Sequence, residues 1–148
     1  MISWYKDEEL EILFDDKPRP SIRYALPSDT KEEKNDIKKY PFSMAKDLQV
    51  VIIYEGKQYN FSVPKGYKWD GATIPRLLWR IVGSSTEPEF LIASCIHDVL
   101  CEHHNYIDNN RNLSSKIFKA LLLEAGVCKL KANIMYTAVD TFQRFCGW

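Results

Sequence analysis

The chain has little of several features that would point to a particular class of protein. Among its 148 residues there is no run of about 18 apolar residues, so no segment is long enough to span a membrane. The first residues lack a basic stretch followed by an apolar one, and we therefore expect no secretory signal peptide. Lysine plus arginine and aspartate plus glutamate number 20 each, so overall charge does not favour nucleic acid or an anionic membrane as a partner.

Cysteine is also sparse, and its spacing excludes two further classes. The four cysteines contain no CxxC pair and are too few for a disulfide framework, so we expect synthesis in the cytoplasm with reduced thiols. With 45% hydrophobic and 27% charged residues, the composition is typical of a soluble globular protein. The length predicts one domain over residues 1–148.

The N-terminal half predicts strands and one charged segment. Residues 27–40 are dense in charge and bounded by prolines, which favours a solvated loop or mobile insertion over the alternative of a short exposed helix. The runs "LQVVIIY" and "QYNFSV" flank the turn "EGK" and predict a β-hairpin over about 48–63.

The chain from residue 64 onward predicts a turn-rich loop, "PKGYKWDGATIPR", and then helices. These helices are "PRLLWRIVG", "EPEFLIASCIHDVLCEHH", "NLSSKIFKALLLEAG" and "KLKANIMYTAVDTFQRF". Asn112 is the expected N-cap of the third helix and Gly126 the residue that ends it. The fold class is therefore α+β: a small N-terminal antiparallel sheet packed on a C-terminal bundle of three to four helices.

The hydrophobic periodicity also predicts which side chains are buried. The fourth helix has an apolar stripe at Leu130, Ile134, Ala138, Phe142 and Phe145. The expected core consists of Val51, Ile53, Phe61, Leu78, Leu91, Ile92, Ile96, Val99, Ile117, Phe118, Leu121, Ile134 and Phe142.

The stretch "SCIHDVLCEHH" contains all three histidines of the chain. At about 100° per residue, His97, Cys101 and His104 share one face of a helix, and Asp98 lies roughly a quarter turn away. The rest of the circumference is apolar, which is typical of a buried helix. Burial of His97 and Asp98 requires partners, because an unpaired buried polar group costs about 1–3 kcal/mol.

These residues allow three interpretations. In the first, His97 and Asp98 are structural and attach the "WDGATIP" loop to the helix. In the second, His97, Cys101 and His104 bind zinc, with Asp70 as a fourth ligand. In the third, His97 is a general base acting on water, and Asp98 and Asp70 orient it or bind a cation.

Three segments in order, "VPKGYKWDGATIPR", "ASCIHDVL" and "SSKIFKALLLEAGV", resemble a family of small phage and prophage proteins of unknown function. The pattern of that family runs VPxGFxTDxASIPR, AxxHDxLY and ADxxF, and the resemblance covers residues 47–148. It implies a site in which His97, Asp98 and Asp70 are the catalytic candidates, and Asp98 and Asp70 are also candidate metal ligands. The loop residues of the implied site are Gly71, Thr73, Pro75 and Arg76. The His-Asp helix is more distantly similar to the secreted bacterial phospholipases A2, which implies calcium as the cation.

The chain departs from the family pattern at two positions. Ser115 stands where the family has the aspartate of ADxxF, and Cys101 stands where it has the tyrosine of HDxLY. Without that aspartate the imidazole of His97 lacks a group to hold its tautomer, unless Asp108 substitutes by a fold of its loop.

These departures favour a non-catalytic role. We expect a phage-encoded protein, a virion component or host-interaction factor, that keeps the His-Asp motif mainly as a structural element. Its partner would be a protein, its location the host cytoplasm or the virion, and its oligomeric state is open. The alternative is a metal- or calcium-assisted hydrolase; the cofactor is therefore either none or a divalent cation such as calcium.

Overall fold

The computed structural model describes residues 1–71, 88–146 and 148. Within this part the strands are β1 (Ile2–Lys6), β2 (Leu10–Phe14), β3 (Pro20–Ile22), β4 (Phe42–Met44), β5 (Leu48–Tyr54), β6 (Lys57–Val63) and β7 (Lys68–Trp69). The α-helices are α1 (Lys31–Lys39), α2 (Leu91–Glu102), α3 (Arg111–Glu124) and α4 (Lys129–Cys146), and short 3₁₀ helices span Pro88–Phe90 and His104–Ile107. The predicted α+β class, with an N-terminal antiparallel sheet and C-terminal helices, is confirmed.

The strands form two antiparallel sheets, one of four strands in the order β1-β2-β5-β6 and one of three in the order β3-β4-β7. The predicted hairpin is β5-β6, and its turn residues Glu55 and Gly56 both have positive φ, 50° and 78°. Such a two-residue turn matches the twist of the paired strands. The hairpin prediction is therefore confirmed.

The buried face of β5 is the opposite of the one we predicted. Val50 and Ile52 are buried, whereas Val51 and Ile53 are only partly buried. Side chains alternate along a strand, so an error of one position moves the whole set to the other face. Because "LQVVIIY" is apolar at nearly every position, the sequence did not decide between the two faces.

Residues 31–39 form a helix where a charged loop was predicted. Thr30 caps this helix, α1, through its hydroxyl, which accepts a hydrogen bond from the Glu33 backbone N–H at 3.1 Å. Acidic side chains lie in the first turn and lysines in the last, which suits the helix dipole. None of its residues is buried, so the alternative of a short exposed helix is correct.

The helices of the C-terminal half pack in sequence order, α2 on α3 and α3 on α4. The N-cap of α3 is Asn110 and not Asn112, because the Asn110 side chain accepts the Leu113 N–H at 3.0 Å. Gly126 follows the helix with φ 96°, as predicted. The predicted helix "PRLLWRIVG", with core residue Leu78, lies outside the described residues. In the ranges that are described, no helix is both long enough and apolar enough to cross a bilayer.

Helix α4 buries a different face from the predicted stripe. Leu130, Phe142 and Phe145 are exposed, with 68%, 57% and 79% of their surface accessible. The buried face instead carries Ala132, Met135 and Gln143. The helix is apolar on two sides, and the smaller and more flexible side chains face α3. The prediction chose the side with the larger residues.

A buried tryptophan joins β7 to α2. Trp69 is 1% exposed, and its indole N–H donates to the Ser94 hydroxyl at 3.2 Å. That hydroxyl in turn donates to the Leu91 carbonyl at 3.0 Å. The rings of Phe42 and Tyr67 lie 5.9 and 6.3 Å from the Trp69 ring. These contacts fix the end of β7, and with it the following residue, beside α2.

We expect Ser94→Ala to lower the free energy of unfolding by about 1–3 kcal/mol, because the buried indole N–H loses its acceptor. Urea denaturation of the wild type, Ser94→Ala, Trp69→Phe and the double variant measures the effect. In the Trp69→Phe background the serine substitution should cost less, since no indole N–H remains. Equal costs in both backgrounds would contradict a stabilising role for this hydrogen bond.

Candidate functional site

The loop residues of the predicted site begin directly after β7. Asp70 is exposed, whereas Gly71 is buried and has φ 96°, a left-handed conformation that glycine adopts without strain. The remaining loop residues of the prediction, Thr73, Pro75 and Arg76, lie outside the described residues.

His97 lies where α2 meets α3 and α4, and it is half-buried. Its ring centroid is 5.1 Å from that of Phe118, and its Nδ1 and Nε2 are 3.7 and 3.9 Å from the Cys101 sulfur. Burial lowers the pKa of His97 to about 4, and the neighbouring Gln143 amide only partly opposes this effect. The imidazole is therefore neutral at pH 7, and its neighbours are a thiol, an amide and an aromatic ring.

Gln143 of α4 is the site residue that the sequence did not predict. It is 6% exposed, and its Nε2 donates to the Cys101 sulfur at 2.9 Å. Its Oε1 is buried and finds no hydrogen-bond partner among the described residues. The residue was missed because the buried face of α4 was assigned to the wrong side chains; a polar residue in register with Ala132 and Met135 was the available signal.

Cys101 remains a thiol. Burial, and next the negative charge of Asp98, raise the pKa of Cys101 to about 12, so little thiolate exists at neutral pH. The thiolate is the reactive form of cysteine, so this residue is a poor nucleophile.

Asp98 has acidic neighbours. Burial raises the pKa of Asp98 to about 8, and the negative charges of Asp70 and Glu102 add to this effect. The Tyr67 hydroxyl donates to Glu102 Oε1 at 3.1 Å, and burial together with the Glu102 and Asp98 charges raises the pKa of Tyr67. Asp98, Asp70, Glu102 and Tyr67 therefore form an acidic side of α2 next to β7, and Asp98 is largely protonated at pH 7.

The structure thus separates the two halves of the His-Asp pair. His97 contacts the α3 and α4 side chains, whereas Asp98 interacts with Asp70 and with Glu102. In the part of the chain that is described, no hydrogen bond joins the His97 ring to a carboxylate. A catalytic dyad in which a carboxylate orients the imidazole is therefore not formed by these residues.

The histidines that follow α2 are not joined to His97. His103 caps the helix, and its ring stacks on Tyr106 with centroids 4.7 Å apart. The His104 ring stacks on Trp148 at 3.9 Å. Over residues 1–71, 88–146 and 148, no three histidine, cysteine or acidic side chains are grouped as metal ligands. The zinc set of His97, Cys101, His104 and Asp70 is not brought together.

The two residues considered in place of the missing family aspartate do not supply a carboxylate to His97. Ser115 is buried, and its hydroxyl lies 3.5 Å from the Arg111 carbonyl. Asp108 forms an ion pair with Lys57 of the hairpin. The proposed substitution of Asp108 for the missing aspartate is therefore not found, because its carboxylate is bound to a lysine of another element.

Comparison with known proteins places the chain in a family. Residues 47–139, which run from β5 into α4 and include Asp70, His97 and Asp98, match the family model described as protein of unknown function, DUF1353. The chain belongs to the DUF1353 family.

Two relatives of this DUF1353 chain come from Sinorhizobium fredii. The uncharacterized protein y4jT is 37% identical over 94 residues, which cover 57% of this chain and 26% of the relative. The uncharacterized protein y4iH is 36% identical over 78 residues, which cover 53% of this chain and 31% of the relative. The match therefore spans about a quarter to a third of the length of these relatives. No solved structure matches the DUF1353 chain.

The protonated carboxyl of Asp98 leads to a test by pH. Because the pKa of Asp98 rises from an ordinary 3.8 to about 8 on folding, the folded state binds the proton more tightly, and stability should fall as pH rises from about 4 to about 8. Asp98→Asn should remove this fall, so the free energy of unfolding of the variant should rise relative to that of the wild type as pH increases. A difference of one pKa unit already corresponds to about 1.4 kcal/mol.

Urea denaturation at pH 5, 7 and 9 measures this difference, and Glu124→Gln, at an exposed carboxyl, is the matched control. An Asp98→Asn variant whose pH dependence equals that of the wild type would show that Asp98 is ionised in the folded protein.

Proposed function

We propose that this chain is a phage- or prophage-encoded protein that acts by binding another protein, as a virion component or a host-interaction factor. In this proposal His97 and Asp98 are structural residues of α2. The resemblance of residues 47–148 to small phage and prophage proteins supports the origin, and the expected location is the host cytoplasm or the virion.

The observation that carries the structural role is the environment of the His97 ring. Phe118, Cys101 and Gln143 surround it, and none of them carries a negative charge at neutral pH. A general base becomes positively charged when it takes a proton, and a carboxylate partner normally stabilises that charge. With a pKa near 4, the imidazole is also a weak base at neutral pH.

Exposed apolar side chains support a role in protein binding. More than half of the surface of Leu130, Phe142 and Phe145 on α4 is exposed. Each of these side chains could therefore bury a large apolar area against a partner. Phe142 and Phe145 are three residues apart and so are neighbours on the helix surface, and an exposed apolar pair of this kind supports an interaction surface.

We expect His97→Ala to lower the free energy of unfolding by about 1–3 kcal/mol at pH 7, since Phe118 and Cys101 lose a packing partner. We expect the stability of the wild type to decline as pH falls from about 6.5 to about 4, because the folded state disfavours a charged His97, and the variant should lose this decline. Denaturation of His103→Ala, at an exposed position, is the control.

Variants at His97 also test whether this residue is needed for binding to the partner. Stable variants at His97, such as His97→Gln, should remain in gradient-purified phage particles, or in a stoichiometric complex with one host protein, as the wild type does. Mass spectrometry of these fractions measures this. Absence of the wild-type chain from both fractions would contradict the proposed role, and loss of biological activity in a fully stable His97 variant would favour catalysis.

One observation favours a second candidate function, a cation-assisted hydrolase with His97 as general base. The carboxyl groups of Asp70, Asp98 and Glu102 lie close enough to influence one another, and a divalent cation would relieve their repulsion. Asp98 and Asp70 would then be the cation ligands. Among the described residues, no carboxylate near His97 would stabilise the positive charge of a general base, so we rank the hydrolase second.

Calcium titration tests this candidate. A proton must leave Asp98 before a cation can bind, so under this candidate calcium should bind at least about tenfold more tightly at pH 9 than at pH 7. Isothermal titration of the wild type and Asp98→Asn with calcium and with magnesium measures this difference. Equal or absent binding in the two proteins would exclude a cation site at Asp98.

A further inference from the structure

The exposed large apolar side chains of the described residues fall into three groups. Met1 and Ile2 lie at the start of the chain, a second group runs from the end of β3 into the segment that follows it, and a third lies on α4. The second group is Ile22, Tyr24 and Leu26, and the third is Leu130, Phe142 and Phe145. The second and third groups have opposite charges around them.

Tyr24 and Leu26 of the second group line a groove of about 570 Å³ between α1 and the segment that follows β3. We call it the acidic groove, and its defining residues are Tyr24, Leu26, Asp29, Glu32, Glu33 and Asp36. Leu26 is 59% exposed and Tyr24 is 76% exposed. The groove therefore combines apolar side chains with carboxylates.

The charge of the acidic groove follows from how α1 is arranged. At about 100° per residue, Glu32, Glu33 and Asp36 lie on one face of the helix with Lys39 at its edge, and the lysines at 31, 34 and 38 lie on the other face. Two cations, Arg23 and Lys68, also line the groove, but both pair with Asp36, at 2.8 and 2.9 Å. Four carboxylates against two cations leave the groove negative.

The outer face of α4 has the opposite character. Leu130, Phe142 and Phe145 lie within about 120° of the helix circumference and form an exposed apolar stripe that polar residues interrupt. Lys131 lies within the same arc and Arg144 lies about 40° beyond its edge, and both are exposed. The one acidic residue of α4, Asp140, is bound by Arg111 and so does not offset their charge. We call this surface the basic face.

We propose that the basic face of one copy of this chain occupies the acidic groove of a second copy. Apolar side chains would meet at the centre, and lysine and arginine would meet carboxylates at the rim. Contacts between like surfaces are disfavoured, because two basic faces or two acidic grooves would place equal charges together. Charge complementarity therefore selects a pairing of unlike surfaces.

The pairing of two different surfaces has a consequence for assembly. Each copy keeps one free surface of each kind after the first contact, so copies add head to tail and form either a closed ring or a filament. This inference rests on the proposed function and names its partner as a second copy. Residues 23–36 and 142–145 lie outside the family-matched residues 47–139, so most of the interface belongs to the parts of the chain beyond that match.

Two variants at exposed positions test the proposal without disturbing the core. The face variant carries Phe142→Asp and Phe145→Asp, and the groove variant carries Tyr24→Lys and Leu26→Lys. Sedimentation velocity and light scattering from micromolar to millimolar concentration measure assembly. We expect the wild type to assemble, less strongly at high salt, and each variant to weaken assembly at least about tenfold. Ile2→Lys, at an exposed apolar position outside both surfaces, should assemble as the wild type does.

Mixing distinguishes unlike from like pairing. The face variant keeps its groove and the groove variant keeps its face, so an equimolar mixture should form a one-to-one dimer and nothing larger. Assembly of the groove variant alone would indicate pairing between basic faces and would overturn the proposal. A wild type that stays monomeric at millimolar concentration would also overturn it. If the wild type is monomeric, and the face variant is absent from the phage particles or host complex that contain the wild type, self-association is wrong. The proposed function then stands, with a different partner at the basic face.

Discussion

Helix α2 must bury polar side chains without charging them, and the arrangement of the site follows from that constraint. The helix packs on β7 and α3, and Gln143 of α4 reaches its Cys101. Ser94 meets the constraint through hydrogen bonds to Trp69 and Leu91, and His97 meets it as a neutral ring. Asp98 meets it by keeping its proton. The serine hydroxyl is neutral in any surroundings, and desolvation disfavours the charged forms of the histidine and the aspartate alike.

The sequence predicted the parts of the fold that depend on local patterns. The β5-β6 hairpin follows from a glycine turn between two β-rich runs, and α2 follows from its almost continuous apolar circumference. The buried faces of β5 and α4 could not be predicted, because both elements are apolar on two sides and only tertiary contacts choose between the sides. Helix α1 was missed because its strong lysine and glutamate content resembles that of a solvated loop.

For the site, the sequence located the right helix but not the relation between its residues. Adjacent positions on a helix point about 100° apart, so His97 and Asp98 can be neighbours in sequence and still belong to different surroundings. Gln143 completes the surroundings of His97 from a helix that begins more than thirty residues later. No local pattern reports such a contact. The DUF1353 family match covers the site but not the end of α4 on which Gln143 lies.

The pairing of β2 with β5 has a consequence for how the chain folds. It joins Leu10–Phe14 to residues 50–54, with β3, α1 and β4 between them, and Lys116 of α3 then reaches Glu9 at 2.5 Å. Closing loops of that length costs entropy before any contact offsets it, whereas α2, α3 and α4 contact their sequence neighbours. We therefore expect the helical half to form early and the four-stranded sheet to close late. Until the sheet closes, the edge of β5 in the apolar β5-β6 hairpin has no partner strand. During that time the edge can pair with another chain, so slow closure favours aggregation.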